Sequence, residues 1–316
     1  MNKTFGGNGT DSSNGPGSNG RRRKRVGLAL GGGVVRGLAH LGVLSVFEEM
    51  GIPVDFVAGS SSGSIIGAAY CAGLSVEELR EYALTFHWWR LARLVWPSHG
   101  LISFGKLADW MVAEFGDIDF SDLHIPFAAM ATDMQSGEPV ALQSGKLALA
   151  VQASCSVPGF VTPVEIDGRI LGDGAISDTV PVSVLRRMGA DFVIGVDVFQ
   201  PTIRRFLGPI GYGLAALEIL VERAGGGTDQ ADCMIMPAMG GETYFRFSKR
   251  QELFDLGRQA ALEKVKCLRR AIEFPELSQE AGQPIYATAE LAGPKLLADK
   301  IDRQDAGPLP TLHSVN

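Results

Sequence analysis

Gly59-Ser60-Ser61-Ser62-Gly63 stands between an apolar run at 52–58 and a segment of small residues at 64–72. Glycines two residues either side of a serine fit a turn from strand to helix so tight that a Cβ at either flank would strike neighbouring backbone. This commits the stretch to a buried strand, a sharp turn and a helix. Ser61 is left exposed at the tip, as a nucleophile needs. The string alone is a weak signal in a chain with 40 glycines. It gains weight from what stands on either side.

Upstream, the apolar run 26–30 leads into Gly31-Gly32-Gly33-Val34-Val35-Arg36-Gly37 and then a helical pattern that ends near Gly51. Consecutive glycines let main-chain N–H groups converge at a helix N-terminus, a point that favours a phosphate or the oxyanion of an acyl-transfer intermediate. A dinucleotide fingerprint fails, because Arg36 stands where glycine is required and Asp55 lies inside the second apolar run. A Walker-type loop fails as well, since no Gly-Lys-Ser/Thr follows. Glycines that only let a helix pack close to a sheet remain a third reading.

Downstream, Asp173-Gly174-Ala175 closes a short apolar stretch and puts a carboxylate on a turn with little side-chain bulk around it. A hydrolase ordered Ser, acid, His needs a histidine after the acid. Of the five histidines, His40, His87, His99 and His124 precede Asp173, and His313 lies in a Pro/Gly-interrupted tail. A Ser–Asp dyad, with the carboxylate taking the serine proton directly, fits this inventory better than a triad.

The set Gly31-Gly32-Gly33-x-x-Arg36-Gly37, Gly59-x-Ser61-x-Gly63 and Asp173-Gly174-Ala175, in this order, resembles the bacterial patatin-like phospholipases. Further stretches agree: Ala131-Thr132-Asp133, Ala153-Ser154-Cys155-Ser156-Val157-Pro158-Gly159 and Val180-Pro181-Val182. The resemblance spans roughly residues 26–265. It implies a lipid acyl hydrolase (phospholipase A, lysophospholipase or carboxylesterase) with Ser61 as nucleophile and Asp173 as general base. It also implies a glycine loop that supplies oxyanion-hole amides and Arg36 as support for that loop. The substrate class implied is a phospholipid or other acyl ester. The alternative is a regulatory or scaffolding protein that keeps the fold with little turnover.

Val34 departs from the family pattern, which has a longer glycine run. The expectation is that Val34 already has right-handed helical backbone, at a cost of only a few tenths of a kcal/mol. The hole is accordingly assigned first to Gly32 and Gly33, with Val34 and Arg36 beside them. Gly31, Gly37, Gly59, Gly63, Gly174 and Ala175 support the motifs.

With 46% apolar and 20% charged residues the chain readily builds a core. Strands expected near 26–30, 54–58, 126–131, 139–142, 169–172, 191–198 and 232–236 alternate with helices near 35–50, 62–73, 76–89, 146–153, 180–188 and 251–270. That order predicts a three-layer α/β/α sandwich over 26–271. Residues 1–25 read as a disordered Gly/Ser/Asn-rich basic tail of net charge +5, leaving −11 on the rest of a chain of net charge −6. Residues 272–316 read as an irregular extension. The basic run 21–25 is either a solvated tail or a weak anchor for anionic lipid. No apolar stretch follows it before the glycine loop, so it is not read as a secretory leader.

Four scattered cysteines without CxxC spacing fit a reducing compartment and no metal site. The reading is a cytoplasmic protein with peripheral contact at the inner membrane surface, no cofactor and no nucleic-acid partner. His87-Trp88-Trp89, with Trp96 and Phe104, is read as core, as the border of an acyl-chain pocket or as a membrane contact.

Overall fold

The computed structural model describes residues 23–85, 93–96, 100–200, 208–224, 230–239 and 249–273. The expectations for residues 1–20, for 87–89, for His99 and His313, and for the extension beyond 273 lie outside these residues. In chain order the elements are β1 (Val26–Leu30), α1 (Leu38–Met50), β2 (Phe56–Ser60), α2 (Ser62–Cys71), α3 (Val76–Thr85), β3 (Arg93–Leu94), β4 (Ile102–Ser103), α4 (Gly105–Phe115) and β5 (Phe127–Asp133). There follow β6 (Pro139–Leu142), α5 (Leu147–Ser154), β7 (Val164–Ile166), β8 (Arg169–Asp173), α6 (Val182–Met188), β9 (Phe192–Val196), α7 (Gly208–Arg223), β10 (Cys233–Ile235) and α8 (Arg250–Glu273).

Among the described residues the central sheet has eight strands in the order β10-β9-β1-β2-β5-β8-β7, with β6 also paired to β5. The strands from β10 to β5 run parallel, and β6, β7 and β8 join antiparallel. A parallel strand covered on both faces reads as a continuous apolar run, as 26–30 and 192–196 do. Alternate residues divide between two cores. Leu28, Leu30, Val57, Phe127, Ile194 and Val196 face one core, with α1 and α8 residues. Ala29, Ala58, Ala128 and Val193 face the other, with Val182 and Leu185 of α6. The result is a mixed sheet with helices on both sides.

Two helix contacts depend on missing side chains. A Cβ on Gly42 of α1 would sit 2.7 Å from the Arg258 amide nitrogen, and closer still to Phe254 O. One on Gly257 of α8 would sit 2.8 Å from Ala39 C. Backbone therefore meets backbone where α1 crosses α8, and α1 is buried from Leu38 through Phe47. Ser75 and Glu78 form the expected reciprocal cap on α3, with Ser75 N donating to Glu78 Oε2 (2.9 Å) and Glu78 N to Ser75 Oγ (3.3 Å).

The architecture differs from the sequence expectation in detail. The helix expected at 35–50 is split into a 3₁₀ turn, Val34–Gly37, and α1. α4, α7, β7 and the two-residue strands β3 and β4 were not expected. β7 spans only three residues, and α4 starts at Gly105 without a side-chain cap, so neither announces itself by pattern.

The basic run is engaged where it is described. Arg23 makes a two-pronged ion pair with Asp55 (2.6 and 2.9 Å), and Arg25 pairs with Asp191 (3.1 Å). Both sit at the amino end of β1. Ser61 follows the carboxyl end of the parallel neighbour β2.

Candidate active site

Ser61 turns the chain from β2 into α2 with φ 51° and ψ −121°, a backbone conformation that side-chain-bearing residues rarely adopt. The flanking glycines make the turn possible. A Cβ on Gly59 would lie 2.6 Å from Gly63 C, and one on Gly63 would lie 2.6 Å from Leu30 C and 2.8 Å from Gly31 O. Side chains then hold the turn. Ser61 N donates to Ser154 Oγ (3.0 Å), and Ser61 O accepts from Ser64 Oγ (2.6 Å) and Cys155 Sγ (3.4 Å).

Asp173 ends β8 and is 4% exposed. Its Oδ2 accepts from Ser61 Oγ at 2.7 Å, and its Oδ1 accepts from Ala175 N at 2.9 Å. Its main chain is fixed on both sides, since Asp173 N donates to Ser156 O (2.8 Å) and Thr132 Oγ1 donates to Asp173 O (2.7 Å). Burial pushes the carboxyl from 3.8 to about 6, against the opposing pull of the Ser61 and Ala175 donors. Ser154, Thr132 and Ser156 are supports that sequence reasoning quoted only as matching stretches. The partners of Thr132 and Ser154 lie 41 and 93 residues away in the chain, beyond any local pattern.

The glycine loop passes close to this pair, and a Cβ on Gly32 would lie 2.7 Å from Ala175 Cβ and 3.3 Å from Ser61 Cβ. Gly31 N donates to Val196 O (3.0 Å) and Gly32 N to Thr179 O (3.3 Å). The amides of Gly33 and Val34 have no acceptor among the described residues. Of the two amides expected to serve first, Gly32 and Gly33, that of Gly32 is thus engaged, whereas, among the described residues, those of Gly33 and Val34 are not. His40 is fully buried and its Nε2 donates to Gly31 O (2.8 Å). Burial lowers it to about 4, so it is a neutral ring. Arg36 is also fully buried and its Nη1 donates to Gln200 O, which ties the loop to the segment after β9.

Val34 corrects the second expectation. Its φ is 53°, in the left-handed region, although it opens the 3₁₀ turn. A β-branched side chain there costs about 1–2 kcal/mol, of which glycine's greater unfolded-state entropy would return part. Val34→Gly is expected to raise stability by about 1 kcal/mol in urea denaturation. A variant no more stable than the parent would show that the φ value carries no strain.

Ser61 and Asp173 open into a cavity of about 360 Å³. Gly33 and Val34 form one side, and Ile102, Phe104, Val157, Phe160, Val161 and Ile176 supply apolar walls. Leu217, Glu218 and Val221 of α7 complete it. Phe104 thus borders a pocket, whereas Trp96 is 86% exposed. No group of three or more His, Cys, Asp or Glu side chains is arranged to hold a metal among the described residues. No helix among them is long and apolar enough to cross a membrane.

This chain is similar to several known proteins. An uncharacterised NTE family protein of Mycobacterium tuberculosis is 37% identical over 177 residues, 55% of this chain and 49% of that protein. Neuropathy target esterase sws of Drosophila melanogaster is 33% identical over 181 residues, 55% of this chain and 13% of that one. Lysophospholipase nte1 of Aspergillus fumigatus is 35% identical over 181 residues, 55% of this chain and 12% of that one. The chain thus spans about half the length of the mycobacterial protein and far less of the others. The solved structure of VipD from Legionella pneumophila overlays with a TM-score of 0.46 at 12% identity, over 78% of this chain and 67% of that one. The family model for patatin-like phospholipases matches residues 28–186, from β1 into α6, and so takes in the glycine loop, the Ser61 turn and Asp173. Half of the chain matches that model, including the glycine loop, the Ser61 turn and Asp173, and the chain belongs to the patatin-like phospholipase family.

Proposed function

We propose that the protein is a serine-dependent hydrolase of lipid acyl esters, a phospholipase A, lysophospholipase or carboxylesterase. The observation that carries this reading is the 2.7 Å hydrogen bond from Ser61 Oγ to Asp173 Oδ2 at the floor of an apolar cavity. The family supports lipid hydrolysis in general, and the relatives named as an esterase and a lysophospholipase support the ester class.

Ser61 Oγ attacks the ester carbonyl carbon while its proton passes to Asp173 Oδ2. The tetrahedral oxyanion accepts N–H groups from Gly33 and Val34, each donor being worth about 3–4 kcal/mol in the transition state. α2 begins at Ser62 and points its positive end at the same developing charge. Collapse expels the alcohol, which takes the proton from Asp173. Water then attacks the acyl-Ser61 ester with Asp173 again as base, and the fatty acid leaves. A carboxylate is a weak base in water, and burial to about 6 brings its proton affinity toward neutral pH, where proton transfer is most effective. Apolar walls accept the acyl chain, and the protein's place of work is the surface of a membrane.

Treatment with a fluorophosphonate bearing an alkyl chain tests the reading. The expected result is a single adduct on the Ser61 peptide by mass spectrometry, prevented by prior incubation with a lysophospholipid. An unlabelled folded protein, or an adduct on another serine, would defeat it.

A further inference from the structure

The helix α7 exposes large apolar side chains on the side away from the cavity. Toward the cavity it presents Leu217, Glu218 and Val221, and its Val221 carbonyl accepts from Thr179 Oγ1 at 2.6 Å. Glu218 is buried at 9% exposure, whereas Tyr212, Ile219 and Leu220 are 63%, 52% and 51% exposed. Positions 212, 219 and 220 are seven and eight apart, so the three side chains share one stripe of the helix. A helix in contact with water ordinarily hides such residues; the exposed charges of α7, Glu222 and Arg223, come only at its carboxyl end. From Gly208 to Leu217 α7 carries no charge at all.

We propose that this outward stripe of α7 lies on a phospholipid bilayer and sets the mouth of the Ser61 cavity against the lipid. The choice of lipid as partner rests on the hydrolase reading above. Three observations select a bilayer. The stripe belongs to the helix that walls the cavity, since Ile219 and Leu220 share a turn of α7 with the lining residues Glu218 and Val221. Other residues at the cavity are apolar and exposed too, Val34 (42%) in its lining and Leu101 (47%) next to the lining residue Ile102. Finally, Arg23 and Arg25 are paired with Asp55 and Asp191 at the far end of the sheet, so a bilayer held by those two cations would face away from Ser61. A second copy of the chain is the weaker occupant. Three side chains fall well short of the about 800 Å² per partner that a stable interface buries. Side chains that dip into the headgroup and acyl boundary need no such area.

The test uses Ser61→Ala protein, so that vesicles stay intact, and flotation with phosphatidylcholine vesicles. Binding is expected to persist at high salt and to fall at least tenfold in Ile219→Glu/Leu220→Glu. In protein with an intact Ser61, the same pair should slow hydrolysis of vesicle-borne lipid by a similar factor while leaving hydrolysis of a monomeric short-chain ester unchanged. Tyr212→Trp is a second, milder probe, and the fluorescence it adds should be quenched by vesicles of brominated phosphatidylcholine. Unchanged flotation of the double variant, binding abolished by salt, or added fluorescence that the brominated vesicles leave unquenched would each overturn the proposal. So would a dimer in sedimentation that the double variant splits. Flotation and quenching do not depend on turnover. A protein that binds through α7 but never labels at Ser61 would sink the hydrolase reading and leave the surface standing.

Discussion

Asp173→Asn is expected to cut kcat/KM for ester hydrolysis by about 10⁴-fold at pH 7 and, at the same time, to make the fold more stable. The first effect follows from the 2.7 Å bond to Ser61 Oγ, since an amide cannot take the serine proton. The second follows from burial. The carboxyl has a folded pKa of about 6 against an ordinary 3.8, so the folded state favours the protonated form. The stability this group contributes is complete below about pH 4 and is lost as pH rises through about 6. By pH 8 the ionised carboxylate opposes folding by about 3 kcal/mol. Asparagine keeps an acceptor for Ala175 N and a polar partner for Ser61, but has nothing to ionise.

The measurements are urea denaturation at pH 5 and pH 8, paired with ester hydrolysis from pH 4.5 to 8. Wild type should lose stability between the two pH values more steeply than the variant. Asp178, also raised to about 6 by burial, retains part of the slope in both. The kcat/KM of wild type should fall on the acid side with an apparent pKa near 6. An Asn variant that is less stable at pH 8, or a flat acid limb, would remove Asp173 from the role of buried base.

Gly63→Ala is expected to cost about 3 kcal/mol or more in stability, enough to leave much of the protein unfolded on expression. The added methyl would press on Leu30 C, Leu30 O and Gly31 O. None of these can yield easily, because β1 is hydrogen-bonded to β2 on one side and β9 on the other. Gly137→Ala is the control. Gly137 has φ 78° but open space around it, so only the backbone preference of about 1 kcal/mol is lost. Equal losses in the two variants by chemical denaturation would show that β1 moves aside and that the tightness of the turn is not what requires glycine.

What could be read from sequence was what local backbone requires. Gly59 and Gly63 bracket Ser61 because of contacts within one strand–turn–helix unit, and the short apolar runs were strands because both their faces are covered. What could not be read was set by distant partners. The Gly32 amide is occupied by Thr179 O, and no motif in the loop records that. The left-handed φ of Val34 follows a loop whose Gly33 lies so close to Val198 that a Cβ there would sit 2.6 Å from Val198 Cγ2, a contact far away in the chain. α7 hid itself as well. One carboxylate, Glu218, is buried while Tyr212, Ile219 and Leu220 are exposed, so apolar residues fall on both sides and the stretch lacks a one-sided helical pattern. The domain limits at 26 and 271 stay a proposal, with α8 running to Glu273.

The backbone contact between α1 and α8 has a consequence for how the chain is made. Arg258 reaches Ser45 Oγ (2.8 Å) and Glu49 Oε2 (2.9 Å) from 213 and 209 residues further along, and Gly257 rests on Ala39. A ribosome adding about 5–20 residues per second therefore completes α1 some 10–40 seconds before its cover exists. During that interval the nascent chain holds the glycine loop and the Ser61 turn but leaves one side of the apolar α1 uncovered. The segment matched by the family model, residues 28–186, therefore lacks the helix that covers α1. Aggregation is expected to compete with folding most during that interval, when apolar surface of α1 awaits α8.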